Sequence, residues 1–129
     1  MHKKIKAFSL VEILIVVAII ALLAGIAIPN LLRAKVTSNQ SSAQATLKAI
    51  GNALETYAIA NGVYPPDSTS LIGAAPPYLN KDYFASAFNG YNFTASISNY
   101  AYTITAVPVS SSSGTVSYSI TTGGVLTTN

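Results

Sequence analysis

Side chains that could move a proton, attack a bond or hold a metal are scarce in this chain. The one histidine, His2, stands beside Met1, and there is no cysteine. Histidine-based triads, zinc sites and thiolate chemistry therefore have no residues to draw on in the body of the chain. Asp67 and Asp82 are the only acids after Glu55. Paired carboxylates can do acid–base work, but both lie in turn-rich segments and read as solvated loop acids. A calcium site would need six to eight oxygens, mostly backbone carbonyls here. Ser110-Ser111-Ser112-Ser113-Gly114 has no base nearby in sequence and no nucleophile-elbow pattern, so it reads as a turn. Eight tyrosines could stack for ligand binding or electron transfer, but their alternation with polar residues predicts core packing. Asn92-Phe93-Thr94 fits a glycosylation sequon, with no further signal beside it.

One ionisable residue is out of place. Glu12 stands at the head of KAFSLVEILIVVAIIALLAGIAIPNLLRAK, where sixteen consecutive residues, Ile13 to Ile28, carry neither charge nor polar group. A carboxylate at the centre of a bilayer costs about 3 kcal/mol, and less near its edge. It is either an interfacial residue or one with a partner. Cleavage between Ala7 and Phe8 would free an α-amine one helical turn before Glu12, where the helix dipole also favours an anion. The amine could belong to the same chain or to a neighbour packed beside it.

The elements around Glu12 follow from composition. A helix of roughly 20 residues at ~1.5 Å rise spans the ~30 Å hydrocarbon layer. Eleven Ile, Leu and Val between Ile13 and Ile28 favour insertion. Seven Lys and Arg outnumber four Asp and Glu, but Lys3, Lys4 and Lys6 account for the excess. They hold the amino end inside and direct the rest outward. The remaining four cations and four anions give no basis for a nucleic-acid-binding body. An ordinary secretory signal is the rival reading, with Gly25 and Ala27 before a cut at Ile28, but such a core is ~7–15 residues and uncharged.

The stretch KAFSLVEILIVVAIIALLAGIAIP resembles the class III signal of type IV pilins and type II secretion pseudopilins: a short basic leader, a small residue at the cut, Phe next, Glu four residues on, and a long aliphatic run ending near Pro. Ala7 stands where the family most often has Gly. The resemblance implies that a prepilin peptidase cuts between Ala7 and Phe8 and methylates the Phe8 amine. Residues 1–7 are then a leader, 8–32 a transmembrane and filament-core helix, and 33–129 a head that includes the amphipathic half of the helix. Glu12, Gly25 and Pro29 become assembly residues. Pro29 lacks an amide donor and Gly25 is a poor helix former, so the stretch between them is a weak turn, predicted to kink in the free subunit and to lose helical bonds in a packed fibre.

Beyond that turn, Leu47, Ile50, Leu54 and Tyr57 mark one apolar helical face, with Asn39, Gln40, Gln44, Lys48 and Glu55 covering the rest. Asn61-Gly62 and Tyr64-Pro65-Pro66 end the helix, predicted from Phe8 to Asn61. VYPPDSTSLIGAAPPYLNKDY reads as a loop with one short helical turn. The period then becomes two: Tyr91 to Ile97, Tyr100 to Ala106, and Val116 to Ile120, with turns at Ser110–Gly114 and Thr122-Gly123-Gly124. The expectation is an α+β fold, a long amino-terminal helix packed on an antiparallel sheet of three or four strands. NGVYPP, PPYL, YTITAVP and GTVSYSITTGGVL extend the family resemblance loosely to the end. There is no cysteine pair for a closed loop, and KDYFASAFNGYNF stands where calcium-binding major pseudopilins carry an Asp-Pro-Trp-Gly-type segment.

The function expected is that of a non-enzymatic filament subunit without cofactor or metal. It is inserted in the inner membrane, processed before Phe8, and polymerised through its helix into a surface filament of the type IV pilus kind. The partners implied are further copies of the chain, the membrane, the peptidase and the pilus assembly machinery. The alternatives are a major pseudopilin of a type II secretion system and, in a different class, a secreted soluble binding module or enzyme with an ordinary signal peptide.

Overall fold

The computed structural model describes residues 1–129 and contains α1 (Leu10–Asn61), α2 (Thr69–Ile72) and strands β1 (Tyr91–Ile97), β2 (Tyr102–Pro108), β3 (Tyr118–Thr121) and β4 (Val125–Thr128). Two compact units make up the chain, Met1–Ala34 and Lys35–Asn129, and α1 contributes to both.

In the first unit, residues 1–9 have no regular structure and the helix begins at Leu10. That start is two residues later than the expected Phe8, because Ser9 caps the helix, as described below. None of the side chains of this unit is buried; Phe8, Leu10, Leu22 and Leu31 are all more than 60% exposed. The helix is long and apolar enough to cross a membrane. It is assigned without a break through Gly25 and Pro29. Pro29 has no N–H, so the link lost is the one that would have reached the Gly25 carbonyl one turn earlier. Both weak points of the sequence thus fall on a single hydrogen bond.

The second unit is an α+β body. Its sheet is a four-stranded meander in the order β1-β2-β3-β4, antiparallel throughout. The register places Phe93, Ala106 and Tyr118 opposite one another, and next to them Ala95, Ile104, Ile120 and Leu126. These rows share the inner face, and all but the edge-strand Ala95 and Leu126 are buried. The expected helical stripe covers them: Leu47, Ile50 and Leu54 are fully buried and join one core with the sheet residues. Gly51 completes the stripe by its smallness, since a Cβ there would stand 2.7 Å from Ile120 Cδ1. The outer rows carry hydroxyls instead: Thr94, Thr105, Ser119 and Thr127 in one, and Ser96, Thr103 and Thr121 ahead of Val125 in the other.

The helix stops where the sequence said it would. Gly62 takes φ +79°, a conformation that costs a glycine little, and its N–H donates to the Ala58 carbonyl at 2.7 Å. The connecting loop holds its one short helix, α2, and the amides of Tyr78 and Leu79 both donate to the Leu71 carbonyl. Tyr100, expected in a strand, lies instead in the β1–β2 turn and is 81% exposed. The amide of Ser98 donates to the Ala101 carbonyl there, closing the hairpin before the alternation resumes. Tyr91, Tyr102 and Tyr118 are core residues, as their alternation implied, and Tyr64 joins them from the segment that ends the helix.

Candidate functional site

Ala7 and Phe8 precede the helix, exposed and without regular structure. The peptide bond between them is thus open to solvent without unwinding any helix. Two residues on, Ser9 begins a reciprocal cap. The Ser9 hydroxyl accepts from the Val11 amide at 3.3 Å, and the Ser9 amide donates to Glu12 Oε2 at 2.7 Å. The Ser9 carbonyl takes the first backbone bonds, from the amides of Glu12 at 3.1 Å and Ile13 at 3.4 Å. Ser9-Leu10-Val11-Glu12 is thus a capping box, in which two of the orphan donors of the helix start find side-chain oxygens. In the uncut chain Glu12 already has a partner, the amide of Ser9 rather than an amine at Phe8. Ser9 was missed on reading the sequence, although Ser-x-x-Glu ahead of an apolar run is the signal for it.

Gly25 and Pro29 lie far from this cap, about 20 and 26 Å along the helix at ~1.5 Å per residue. No side chain approaches within 4 Å of the position a Gly25 Cβ would take. The structure therefore brings Ala7, Phe8, Ser9 and Glu12 together at one helix end and leaves Gly25 and Pro29 on the same rod without neighbours.

The second unit contains a polar junction that gave no sequence signal. Glu55, read as part of the solvated helix face, is half-buried and accepts hydrogen bonds from three donors, one of them shared between its two oxygens. They come from the Tyr64 hydroxyl at 3.1 and 3.2 Å, the Tyr102 hydroxyl at 3.0 Å and the Gly123 amide at 2.8 Å. The Tyr102 oxygen in turn accepts from the Gly124 amide at 3.2 Å. Burial, and then the neighbouring Glu55 carboxylate, push both phenols above their ordinary range, Tyr102 strongly. Phenols held neutral donate to the carboxylate, and the junction pins α1 to the loop after it and to the β3–β4 turn. Asn39 and Gln40 are likewise bonds rather than a solvated covering: Asn39 donates to the Ser113 carbonyl at 2.9 Å and Gln40 to Thr115 Oγ1 at 3.1 Å.

The two loop acids serve as turn caps. Asp67 accepts from the Thr69 hydroxyl at 2.7 Å and from the Ser70 amide and hydroxyl at 3.0 and 2.9 Å. These donors, led by Thr69, hold its carboxyl below the ordinary range. Asp82 accepts from the Phe84 amide at 2.8 Å. No three His, Cys, Asp or Glu side chains lie close enough to share a metal ion. A depression of about 470 Å³ lined by Asn52, Thr56, Pro76, Pro77 and Tyr78 offers no acid, imidazole or thiol.

Comparison with known proteins bears on the capped end first. Residues 2–28 match the family model described as the prokaryotic N-terminal methylation motif. Among curated proteins, the type II secretion system core protein G of Vibrio cholerae is 38% identical over 69 residues, 54% of this chain and 47% of that protein. The type IV major pilin protein PilA of Myxococcus xanthus is 41% identical over 76 residues, 59% of this chain and 34% of that one. The type IV wide pilus major component PilA4 of Thermus thermophilus is 43% identical over 67 residues, 52% of this chain and 51% of that one. The chain thus spans between a third and about half of the length of these relatives. Pilus and secretion relatives match it to a similar degree, and the long helix on an antiparallel sheet is the pilin fold; motif, relatives and fold together support a place among type IV pilins and type II secretion pseudopilins.

Proposed function

We propose that this chain is a structural subunit of a type IV pilus-like filament. It is held in the inner membrane by the helix of its first unit, cut between Ala7 and Phe8, methylated on the Phe8 amine, and polymerised through that helix. The observation that carries this reading is the unburied apolar surface from Phe8 to Leu32, headed by a methylation motif. A surface of this extent is not left to water; lipid covers it before assembly and other copies of the helix cover it afterwards. In a bundle of such helices the new amine leaves water, and an unpaired buried charge costs several kcal/mol. A carboxylate at about 4 Å returns on the order of 4 kcal/mol at an effective dielectric of 20. Glu12 supplies it, since its Oε2 serves the cap and Oε1 has no partner in the chain. Gly25 and Pro29, sharing one missing bond, are where the helix yields on packing.

Glu12→Gln separates the two uses of this side chain. Glutamine still accepts the Ser9 amide and keeps the cap, but it cannot neutralise an amine. The variant is expected to insert, to be cut and methylated at Phe8 as read by mass spectrometry of the membrane fraction, and to yield few sheared filaments. Cleaved Glu12→Gln protein that polymerises at wild-type yield would refute the assembly role. A mature amino terminus at Ile28 would replace the whole reading with that of a secreted soluble protein.

A second reading, major pseudopilin of a type II secretion system, is favoured by the relatives that carry the name core protein G. Whether the chain restores piliation or protein export in a host lacking the corresponding subunit decides between the two.

A further inference from the structure

All four carboxylates of the chain are engaged with amides and hydroxyls. Glu12 accepts from Ser9, Glu55 from Tyr64, Tyr102 and Gly123, Asp67 from Thr69 and Ser70, and Asp82 from Phe84. No Lys or Arg is among these partners. Within the first unit this leaves Arg33 exposed on the helix, immediately after Leu32, the last residue of the apolar run, and with no internal anion to meet. Glu12 and Arg33 stand 21 residues apart on one helix, about 32 Å at ~1.5 Å per residue, against a hydrocarbon layer of ~30 Å. The two charges therefore bracket the layer to within one residue or so at each end.

We infer that Arg33 binds the phosphate of an outer-leaflet lipid headgroup and, with the Glu12 cap at the opposite boundary, fixes the depth at which the helix rests in the bilayer. This rests on the membrane insertion proposed above. The guanidinium is a planar fork that matches phosphate oxygens in pairs and gives up water more readily than an ammonium. Its aliphatic stem lies along the apolar surface below while the head reaches the phosphate layer. At the other end, orphan amides of the first turn would be costly near lipid. The Ser9–Glu12 box answers them from within the chain, so the carboxylate and the cap occupy the inner boundary together. Arg33 thereby sets where Glu12 and the Phe8 junction lie: at the membrane surface, within reach of an enzyme, and not inside the hydrocarbon.

The sequence has no cysteine, so single reporters can be placed by substitution. The full chain carrying Ile20→Cys, Leu32→Cys, Ala34→Cys or Val36→Cys is reconstituted in phosphatidylglycerol vesicles and labelled from outside with a charged maleimide. Labelling is expected to begin at Ala34→Cys. With Arg33→Gln in the same vesicles, the next cation is Lys35. The boundary is then expected to move by two residues, about 3 Å, so that Ala34→Cys becomes protected while Val36→Cys still reacts. The unsubstituted Arg33 chain in vesicles of digalactosyldiacylglycerol, which has no phosphate for Arg33 or Lys35, is expected to lose the sharp boundary, with Ala34→Cys labelled less completely than in phosphatidylglycerol. Equal labelling of Ala34→Cys in all three samples overturns the inference. A shift on adding inorganic phosphate to the phosphatidylglycerol sample also overturns it, since Arg33 would then be answering free phosphate and not a headgroup. Full labelling of Ile20→Cys throughout marks a different failure, that of the membrane-inserted reading itself.

Discussion

Removing the Tyr102 hydroxyl tests whether the Glu55 junction holds the second unit together. Tyr102→Phe preserves the ring, which is 2% exposed and packs edge-on against Tyr64 at 5.0 Å. It deletes one donor to a carboxylate and one acceptor for the Gly124 amide. A hydrogen bond to a charged group contributes about 1.5–3 kcal/mol. Glu55 keeps Tyr64 and Gly123 and is half open to water, so about 2 kcal/mol is the reasonable loss. For a unit of this size that lowers Tm by about 8–16 °C. The pH dependence gives an independent signature. A tyrosine in the unfolded chain titrates near 10, and Tyr102 in the fold titrates well above it, because burial and Glu55 disfavour the phenolate. Its contribution is therefore fully present below pH 10 and is lost as pH rises from there toward the folded value. Thermal unfolding by circular dichroism from pH 7 to 11 should show the wild type losing stability above pH 10. Tyr102→Phe should start lower and fall less steeply, the residual slope coming from Tyr64 and Tyr91, whose phenols are also raised. Equal Tm at pH 7 together with an unchanged alkaline slope would show that the junction is incidental.

The fragment Lys35–Asn129 is expected to be soluble and folded without detergent, whereas the processed full chain requires it, because the fragment keeps the buried stripe and the sheet and loses the exposed run; sedimentation and circular dichroism check this, and an aggregated or unstructured fragment refutes it. Gly114→Ala is expected to cost about 1–3 kcal/mol, because a Cβ there would overlap the Tyr91 hydroxyl and stand 2.7 Å from Tyr91 Cζ. Tyr91 is fully buried and its hydroxyl donates to the Val116 carbonyl at 2.8 Å, so it has no room to yield; urea midpoints of the fragment measure the cost, and an unchanged midpoint refutes it.

The fold was legible because its two periods are clean. Leu47, Ile50, Leu54 and Tyr57 recur at helical steps, and the tyrosines and isoleucines of the last third alternate with threonine and serine, so burying one face of each element against the other admits few arrangements. Periodicity speaks only for residues whose burial is apolar. Tyr100 continues the alternation of Tyr102, Ile104 and Ala106 and yet is exposed, because the hairpin has to turn somewhere and nothing in its neighbours marks the place. Gly114 looked like a turn glycine, and it does close the Ser110 loop, but its necessity comes from Tyr91, a ring two strands away in the chain.

Glu55 and Glu12 show the same limit from opposite sides. The partners of Glu55 come from 9, 47 and 68 residues along the chain; no local pattern announces a contact that depends on the β3–β4 turn arriving beside α1, and an acid on the polar side of an amphipathic helix reads as solvated. Glu12 has a local partner, and the box Ser9-Leu10-Val11-Glu12 was there to be read. It was obscured because the conspicuous fact was a charge in an apolar run, which invites a search for a counter-charge and not for an amide. The cap changes what the counter-charge has to accomplish. With Oε2 already bonded to the Ser9 amide, the carboxylate is held in place in the uncut chain, so that under the proposed processing a new Phe8 amine would meet an anion whose position is fixed. A flexible glutamate would have to be ordered at that moment, at a cost of about 1–2 kcal/mol in rotamer freedom. In the assembly role proposed for Glu12, Ser9 therefore belongs beside it as the residue that holds the carboxylate in place.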